Sequence, residues 1–356
     1  MTVPLRNVPA PLASDTNWIT LLASNDRRGG VAAPARKPPA ELIWKATLGD
    51  AVRSSPVLRD GVLYVACRDG RLYAFDVSNG RERWRYQAQA ALHSTPSLSG
   101  NLVLFGADDG TVSAVDRASG LRRWQVEGAG EVWSSPTVYE DNVYFGSTGG
   151  EVTAVDRASG QRRWRRQMDA RISSTAYITE RQLFFGCGDG RLVALDRSTG
   201  KDVWVHRAAD GIVASPAVDG GLVLVGSEDY CFYAVDTESG KVRWKIETGL
   251  GVTSSAAVAG GMVFFGGRDG YLYAVAQSDG RELWKSRPLR AITAPPLAAD
   301  GFVCVQSFYG TTQAFETDTG KELWRANLGG SVSSTPIVST EAVYLATYPG
   351  VVYALR

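Results

Sequence analysis

The chain has 356 residues, with 38 lysines and arginines against 37 aspartates and glutamates, so its net charge is +1. A balance this close gives no electrostatic reason to expect nucleic acid or an anionic membrane surface as a partner. The sequence also contains no run of about 18 apolar residues, which excludes a predicted membrane-spanning helix.

The first forty residues differ from the rest of the chain. Six prolines interrupt residues 1–40, so we predict an irregular, proline-rich arm there. The opening residues lack the apolar stretch of a secretory signal. We therefore expect a cytoplasmic protein, or a periplasmic or otherwise exported one if a signal has been removed.

From residue 41 onward the chain repeats with a period of forty residues. Tryptophan marks the period most clearly, at Trp44, Trp84, Trp124, Trp164, Trp204, Trp244, Trp284 and Trp324. An alanine recurs with the same spacing, from Ala74 to Ala354. A fixed period of this length indicates a solenoid or a propeller, since each unit is one supersecondary structure that packs on its neighbours.

Each repeat has the pattern of four short strands. In the first complete unit these are Ser54–Leu58, Val62–Ala66, Leu72–Phe75 and Arg81–Trp84, which we name strands A, B, C and D. Asp69-Gly70, between B and C, is typical of a tight hairpin, because such turns need the positive φ that glycine adopts readily. Tandem four-stranded units predict the blades of a β-propeller.

The count of strands predicts how the ring closes. Strand A begins eight times, but the eighth unit ends at Arg356 without a strand D, and Glu41–Trp44 is a strand D without a unit. The sequence therefore predicts an all-β, eight-bladed β-propeller of four-stranded antiparallel blades, closed by pairing of 41–44 with 353–355. We assign 41–356 to a single domain. An open solenoid is the alternative, and it leaves Glu41–Trp44 unpaired.

The repeat resembles the pyrroloquinoline-quinone-type (PQQ-type) propeller repeat. The marks of the resemblance are Ser-Ser-Pro at the start of strand A, Asp-Gly between B and C, Tyr-Ala-x-Asp in strand C, and Ser-Gly or Thr-Gly before the tryptophan. The resemblance covers Glu41–Arg356, and it is closest in style to the non-catalytic, BamB-like outer-membrane assembly factors. It implies a propeller, and it does not by itself imply one activity.

Two classes of function remain open under this resemblance. Quinoprotein dehydrogenases of the family hold a quinone with calcium or a lanthanide, beside a catalytic Asp and two adjacent cysteines. This chain has no Cys-Cys pair and no long inserted loop, because every repeat is near forty residues. We therefore expect no cofactor, with PQQ and calcium considered and set aside. A PQQ-dependent or other small-molecule oxidoreductase, with its active site over the central channel, is the alternative.

Several recurrent residues have a structural interpretation. Asp76, Asp116, Asp156, Asp196 and Asp236 are predicted to accept backbone N–H groups in the C–D turns. We expect the periodic tryptophans to fill the gaps between blades, as a tryptophan docking motif. The four cysteines, Cys67, Cys187, Cys231 and Cys304, are predicted to be buried free thiols in strands. No pair of His or Cys has the spacing of a metal site, so we predict no metal and no catalytic residue.

Function is expected where the repeat stops repeating. The D–A and B–C connections share one face of the ring, which we call the top face, and their residue types change from blade to blade. We predict the partner-binding or ligand-binding site there, with Arg53, His93, Trp133, Glu131 and Arg171 as its central group and Arg68, Tyr230, Arg268, Phe308, Tyr309 and Tyr348 around it.

The sequence thus predicts a non-catalytic scaffold. We expect a protein partner or a small ligand on the top face, since Arg, Trp and Tyr are the residue types that contribute most to interface energy. The opposite face shows mainly Ser-Gly and Asn-Gly turns, and we expect little binding there. We further expect a monomer without nucleic acid.

Overall fold

The computed structural model describes residues 41–287, 291–299, 301–307, 310–327, 334–339 and 342–356. The predicted arm over 1–40 lies outside the described residues. All regular elements in the described ranges are β-strands. These ranges contain no helix with the length and apolarity that a membrane crossing requires.

The strands follow one another in eight groups. The first strand is β1 (Leu42–Thr47). Blades one to three then contain β2 (Val57–Arg59), β3 (Val62–Ala66), β4 (Arg71–Asp76), β5 (Glu82–Gln87), β6 (Ser97–Ser99), β7 (Leu102–Gly106), β8 (Thr111–Asp116), β9 (Arg122–Glu127), β10 (Thr137–Tyr139), β11 (Asn142–Gly146), β12 (Glu151–Asp156) and β13 (Arg162–Gln167).

Blades four to eight continue in the same way. They contain β14 (Tyr177–Ile178), β15 (Gln182–Gly186), β16 (Arg191–Asp196), β17 (Asp202–Arg207), β18 (Ala217–Asp219), β19 (Leu222–Gly226), β20 (Cys231–Asp236), β21 (Val242–Glu247), β22 (Ala257–Ala259), β23 (Met262–Gly266), β24 (Leu272–Ala276), β25 (Glu282–Ser286), β26 (Leu297–Ala299), β27 (Phe302–Gln306), β28 (Thr311–Glu316), β29 (Glu322–Asn327), β30 (Ile337–Val338), β31 (Val343–Ala346) and β32 (Val351–Leu355).

The strands form eight four-stranded antiparallel sheets, and seven of them follow chain order. The eighth sheet has the order β1-β32-β31-β30, so the first described strand completes the last blade. Trp44 pairs with Ala354 and Lys45 with Tyr353, and the backbones of Glu41 and Arg356 exchange hydrogen bonds of 2.9 and 2.8 Å. The predicted eight-bladed, all-β propeller and its closure are confirmed.

The core of the ring lies between neighbouring blades. One buried cluster combines Val57 and Tyr64 of blade one with Leu98 and Phe105 of blade two, and the clusters around it are built in the same way. Because each sheet buries both faces against its neighbours, the apolar interior consists of separate clusters between the blades.

Strand A is shorter than predicted, because its first residues bond elsewhere. The ladder begins at Val57 and not at Ser54. The Ser54 hydroxyl donates to Ala66 O at 2.8 Å, and the Ser55 N–H donates to Thr95 Oγ1 of the next blade at 3.0 Å. Pro56 has no N–H to give to a ladder. These residues therefore join blades rather than extend a strand.

The contact made by Ser55 recurs around the axis as a belt of hydrogen bonds. At the equivalent positions a backbone N–H donates to the hydroxyl of the following blade at 2.9–3.1 Å, from Thr335 to Ser55, Ser55 to Thr95, Thr95 to Ser135, Ser135 to Thr175, Thr175 to Ser215 and Ser215 to Ser255. Blade seven has Pro295 at this position. Proline can neither donate nor accept here, so the belt is open on both sides of that blade.

The periodic tryptophans contact the next blade. The Trp84 ring lies opposite Ala74 in its own sheet, and its Nε1 donates to Arg117 O of blade two at 3.0 Å. A Cβ added at Gly120 would lie 2.7 Å from the Trp84 ring, so glycine is required where the ring approaches. The corresponding Nε1 bonds of Trp44, Trp124, Trp164, Trp204, Trp244 and Trp284 measure 2.7–3.0 Å.

Candidate functional site on the top face

On the top face, each B–C turn of blades one to six lies between two D–A connections and is hydrogen-bonded to both. In blade one the Arg68 N–H donates to Ala51 O at 3.0 Å, and the Leu92 N–H donates to Cys67 O at 3.2 Å. The same two bonds recur in other blades, for example from Asp108 to Ala91 and from Val132 to Ala107. The predicted D–A and B–C residues of neighbouring blades are therefore held side by side.

The centre of the site is a set of three side chains from blades two and three. His93 Nε2 lies 3.2 Å from Asp108 Oδ2, and Trp133 Nε1 donates to Asp108 Oδ1 at 3.0 Å. The rings of His93 and Trp133 lie with their centroids 5.8 Å apart. One carboxylate thus fixes both rings. Asp108 was not among the predicted site residues, although it occupies the variable B–C position that also holds Arg68.

Cationic and aromatic side chains flank this centre on both sides. The Arg171 guanidinium of blade four lies 5.8 Å from the Trp133 ring centroid, and that of Arg53 lies 5.5 Å from the Tyr348 ring centroid of blade eight. Residues of five consecutive blades therefore form a curved row, which we call the arc. Its members are Tyr348, Arg53, Arg68, His93, Asp108, Glu131, Trp133 and Arg171.

The electrostatics of the arc keep its histidine neutral. Burial is the main reason that the pKa of His93 lies below its usual value. Asp108 and Glu131 oppose this shift, whereas the positive charges of Arg53 and Arg68 add to it. Ser94, the adjacent hydroxyl, donates to Gly106 O and accepts from Gly106 N–H, so it is held within its own blade. The arrangement provides charge and aromatic surface rather than an activated nucleophile.

Two further predicted residues, Tyr230 and Arg268, lie in blades five and six, outside the arc. Tyr230 is 52% exposed and has φ +70 at a turn position where glycine is usual. Its carbonyl accepts the Thr248 hydroxyl at 2.9 Å, and that hydroxyl also lies 2.7 Å from Leu250 O, whose side chain is itself exposed. Arg268 is exposed in the next blade. Phe308 and Tyr309 lie outside the described residues.

Leu250 is a second residue that sequence reasoning missed. It follows the outer strand of blade five, where other blades have small or charged residues such as Ala90, Gly130 and Asp210. The change of residue type at this position was the available signal. Together, Tyr230 and Leu250 add exposed apolar surface to the outer part of the top face.

The opposite face is largely engaged in contacts within the ring. The C–D turn acids accept backbone N–H groups, as predicted, and hydrogen bonds from Ser159 hold the pKa of Asp156 at about 2. Arg117 pairs with Asp60, and Arg197 pairs with Glu140 at 3.0 Å, each reaching the preceding blade. Arg157 bonds Asp141 and Ser99.

One cleft on the opposite face was not expected. It lies between blades five and six, has a volume of about 860 Å³, and is lined by Asp219, Glu238, Gln277 and three glycines among others. Gln277 donates to Asp219 at 2.7 Å, and Asp236 is paired with Arg243 at 2.8 Å. The cleft adds a concave surface to a face where the sequence predicted mainly Ser-Gly and Asn-Gly turns, and these two polar pairs already occupy part of its lining.

The cysteines and acids are the side chains that a calcium–quinone site of the PQQ type would use. All four thiols are free and buried, and burial raises the pKa of Cys67, Cys187 and Cys304 to about 12. Cys67 and Cys187 follow strand B rather than lie in it, which corrects their predicted location. Within the described ranges no three His, Cys, Asp or Glu side chains form a cluster that could hold a metal ion. These residues do not fit a calcium–quinone centre.

Comparisons with known proteins agree with this architecture. The family described as outer membrane protein assembly factor BamB matches residues 28–177 and 168–356. The assembly factor BamB of Burkholderia pseudomallei strain K96243 is 31% identical over 84 residues, which are 24% of this chain and only 21% of that protein.

Solved structures share the fold at low sequence identity. BamB from Moraxella catarrhalis superposes with a TM-score of 0.77 at 21% identity, over 89% of this chain and 99% of that one. Quinohemoprotein alcohol dehydrogenase from Comamonas testosteroni gives a TM-score of 0.81 at 16% identity, over 96% and 80% of the two chains. At these identities the structures show the propeller alone. The match to both parts of the repeat region is what identifies the family, and the chain belongs to the outer membrane protein assembly factor BamB family.

Proposed function

We propose that the protein is a non-catalytic scaffold that binds a partner protein through its top face. The observation that carries the proposal is the arc, where side chains of five blades meet on the face whose connections vary. Trp133 and Arg171 are the residue types that dominate interface energy, since they combine large contact area with directed hydrogen bonds. A rigid ring holds them in place without any further element.

Tyr230 supports the same surface. A bulky residue with positive φ costs of the order of 1 kcal/mol or more, and such strain persists only where the surrounding structure enforces it. Here the strained residue is also 52% exposed, so its side chain gains little from the core. An exposed aromatic kept at that cost is better explained by a contact with a partner than by folding.

The oxidoreductase alternative has less support. Three dehydrogenase structures share the fold with a TM-score of 0.81, but at 13–16% sequence identity. The described residues also contain no cluster of side chains that could hold a metal ion. The absence of a quinone stays a prediction. An absorption spectrum and a native mass of the purified protein test it, together with the expected monomer.

The names of the relatives bear on the compartment. They are called outer membrane protein assembly factors, which gives no support to the cytoplasmic expectation. We therefore propose the exported alternative, with a partner that takes part in outer-membrane protein assembly. Fractionation of cells that express the full-length gene tests this part separately.

Photo-crosslinking in cells tests the choice of face. A photoreactive phenylalanine analogue is placed at Tyr230 or Arg53 on the top face, and at Leu121, which is 69% exposed in a C–D turn, on the opposite face. We expect one discrete crosslinked partner from the top-face positions and none from Leu121. The same partner captured from Leu121 alone would place the interface on the opposite face and refute the proposal.

A further inference from the structure

The arc contains three guanidinium groups without a carboxylate partner. Within the described part of the chain, no Asp or Glu oxygen lies within 4 Å of the cationic groups of Arg53, Arg68 or Arg171, and the first and last lie near the rings of Tyr348 and Trp133. Arg68 Nε is buried and has no hydrogen-bond partner there. Its guanidinium can therefore turn toward a ligand without breaking an existing hydrogen bond at that atom.

Unpaired arginines also occur singly elsewhere, so their clustering is the informative feature. Arg81 and Arg181 on the opposite face are exposed and lack an ion pair among the described residues, but they have no shared contact partner in those ranges. In the arc, by contrast, Arg53 and Arg68 both act on His93, and Arg171 contacts Trp133, which touches the same histidine. Three cations thus surround one pair of rings.

The acidic members of the arc do not neutralise these cations. Both oxygens of Asp108 are engaged, one by His93 and one by Trp133. Glu131 remains as the second carboxylate. Three arginines against two carboxylates, with His93 neutral, leave a net charge of about +1, and the arginines keep their five-donor forks for a ligand.

We propose that the arc binds an acidic segment of the partner protein, with Arg53, Arg68 and Arg171 holding its carboxylates and Trp133 forming an apolar wall. The proposal rests on the proposed function, since it names the chemistry of the partner at the same face. Carboxylates suit guanidinium groups because two oxygens can accept both N–H groups of one fork. Arg53 and Arg68 lie in blade one and Arg171 lies in blade four. An extended peptide segment can reach all three cations, whereas a single small anion is too short to do so.

The test uses fluorescence anisotropy on the full chain with labelled ten-residue peptides. The probe is a fluorescein-labelled Glu-Ser repeat, and a Lys-Ser repeat of equal length is the reference. We expect the acidic peptide to bind, the basic one not to bind, and the affinity to fall as salt is raised, since partly exposed charge pairs are screened.

Matched variants localise the binding. Arg53→Gln with Arg171→Gln should weaken the acidic peptide at least about ten-fold, and Arg171→Lys should retain more affinity than Arg171→Gln because it keeps the charge. Arg81→Gln with Arg181→Gln removes the same charge from the opposite face and should change nothing. Equal melting temperatures for the two double variants show that folding is not the cause.

Three results would overturn the proposal: no binding of the Glu-Ser peptide, equal binding of the Lys-Ser peptide, or an unchanged affinity in the arc variant. Tighter binding of a ten-nucleotide oligothymidine would also overturn it, in favour of a nucleic acid. If the peptide fails while crosslinks from Tyr230 still capture a partner, the scaffold proposal stands and only the acidic chemistry is wrong.

Discussion

Two arginines of blade four, one on each face, lie against an aromatic ring of blade three. On the opposite face the Arg197 guanidinium lies 4.2 Å from the Tyr139 ring centroid and 3.0 Å from Glu140, with only 13% of its side chain exposed. On the top face Arg171 lies 5.8 Å from the Trp133 ring centroid, is exposed, and has no carboxylate partner in the described ranges.

The difference teaches how one repeat separates stability from binding. Arg197 has its charge, its donors and its flat face satisfied by the neighbouring blade, so its interactions stabilise the ring. Arg171 contributes one looser ring contact and keeps its hydrogen-bond donors for solvent or a partner. Residue type alone does not distinguish the two, because both are arginines beside an aromatic ring. Their partners do.

The largest expected effect is a difference in stability between two tryptophan variants, one in the ring interior and one on the top face. Trp124 is 8% exposed between blades and donates to Arg157 O, so Trp124→Ala should lower the free energy of unfolding by about 3–5 kcal/mol. Trp133→Ala removes one hydrogen bond and a partly exposed ring, and should lower it by no more than about 2 kcal/mol. Guanidinium unfolding followed by circular dichroism measures both.

Binding should show the reverse order for these two variants. Trp133→Ala should lose the partner or the acidic peptide while it folds, and Trp124→Ala should bind normally at temperatures where it remains folded. Equal losses of stability at the two positions would contradict the assignment of Trp133 to the binding surface.

The fold was predictable because every level of the sequence agrees with it. The tryptophan spacing, the Asp-Gly turns and the missing last strand D each point to the same closed ring. The predicted start of strand A was wrong by three residues. The run Ser54-Ser55-Pro56 does not by itself show that the Ser55 N–H donates to the next blade. That bond depends on the neighbouring repeat, which a single repeat cannot show.

For the candidate site, the sequence predicted which face its residues share but not how their side chains meet. Variability located Arg53, His93 and Trp133 at the top, but it could not show that Asp108 joins two of them. Such contacts depend on which rotamers meet across a blade boundary. Ion pairs are equally hard to predict. The sequence does not show that Arg197 pairs with Glu140, whereas Arg171 has no carboxylate partner among the described residues.

The second prediction tests that arginine pair directly. Arg197→Ala should lower the free energy of unfolding by about 1 kcal/mol, because it removes a ring contact and a partly exposed ion pair. Arg171→Ala should leave the unfolding free energy within about 0.5 kcal/mol of the parent. The loss at Arg197 should shrink in 1 M salt, which screens the pair with Glu140. Equal losses at both positions would remove the distinction between the faces.

The third prediction concerns the ring itself and leaves both arginines unchanged. Pro295 opens the hydroxyl belt, and Thr335 Oγ1, which the N–H of a non-proline residue at 295 would reach, is buried with no hydrogen-bond partner among the described residues. Pro295→Ser supplies an N–H for Thr335 and a hydroxyl for the Ser255 N–H. Two hydrogen bonds at about 1 kcal/mol each, less up to about 1 kcal/mol for the greater freedom of the unfolded chain, give an expected gain of about 1 kcal/mol.

A double-mutant cycle shows whether the belt is the cause of that gain. Thr335→Val should cost little in the parent, where the Thr335 hydroxyl has no hydrogen-bond partner in the described ranges, and about 1 kcal/mol more in Pro295→Ser, where it accepts one. Pro296→Ser, one residue along, is the control and should give no gain. Peptide binding at the arc should be the same in all four proteins of the cycle, because the belt stabilises the ring and takes no part in the top-face contacts. If Thr335→Val costs the same in both backgrounds, the serine introduced at position 295 does not donate to Thr335, and any gain in stability from Pro295→Ser has a cause other than closure of the belt.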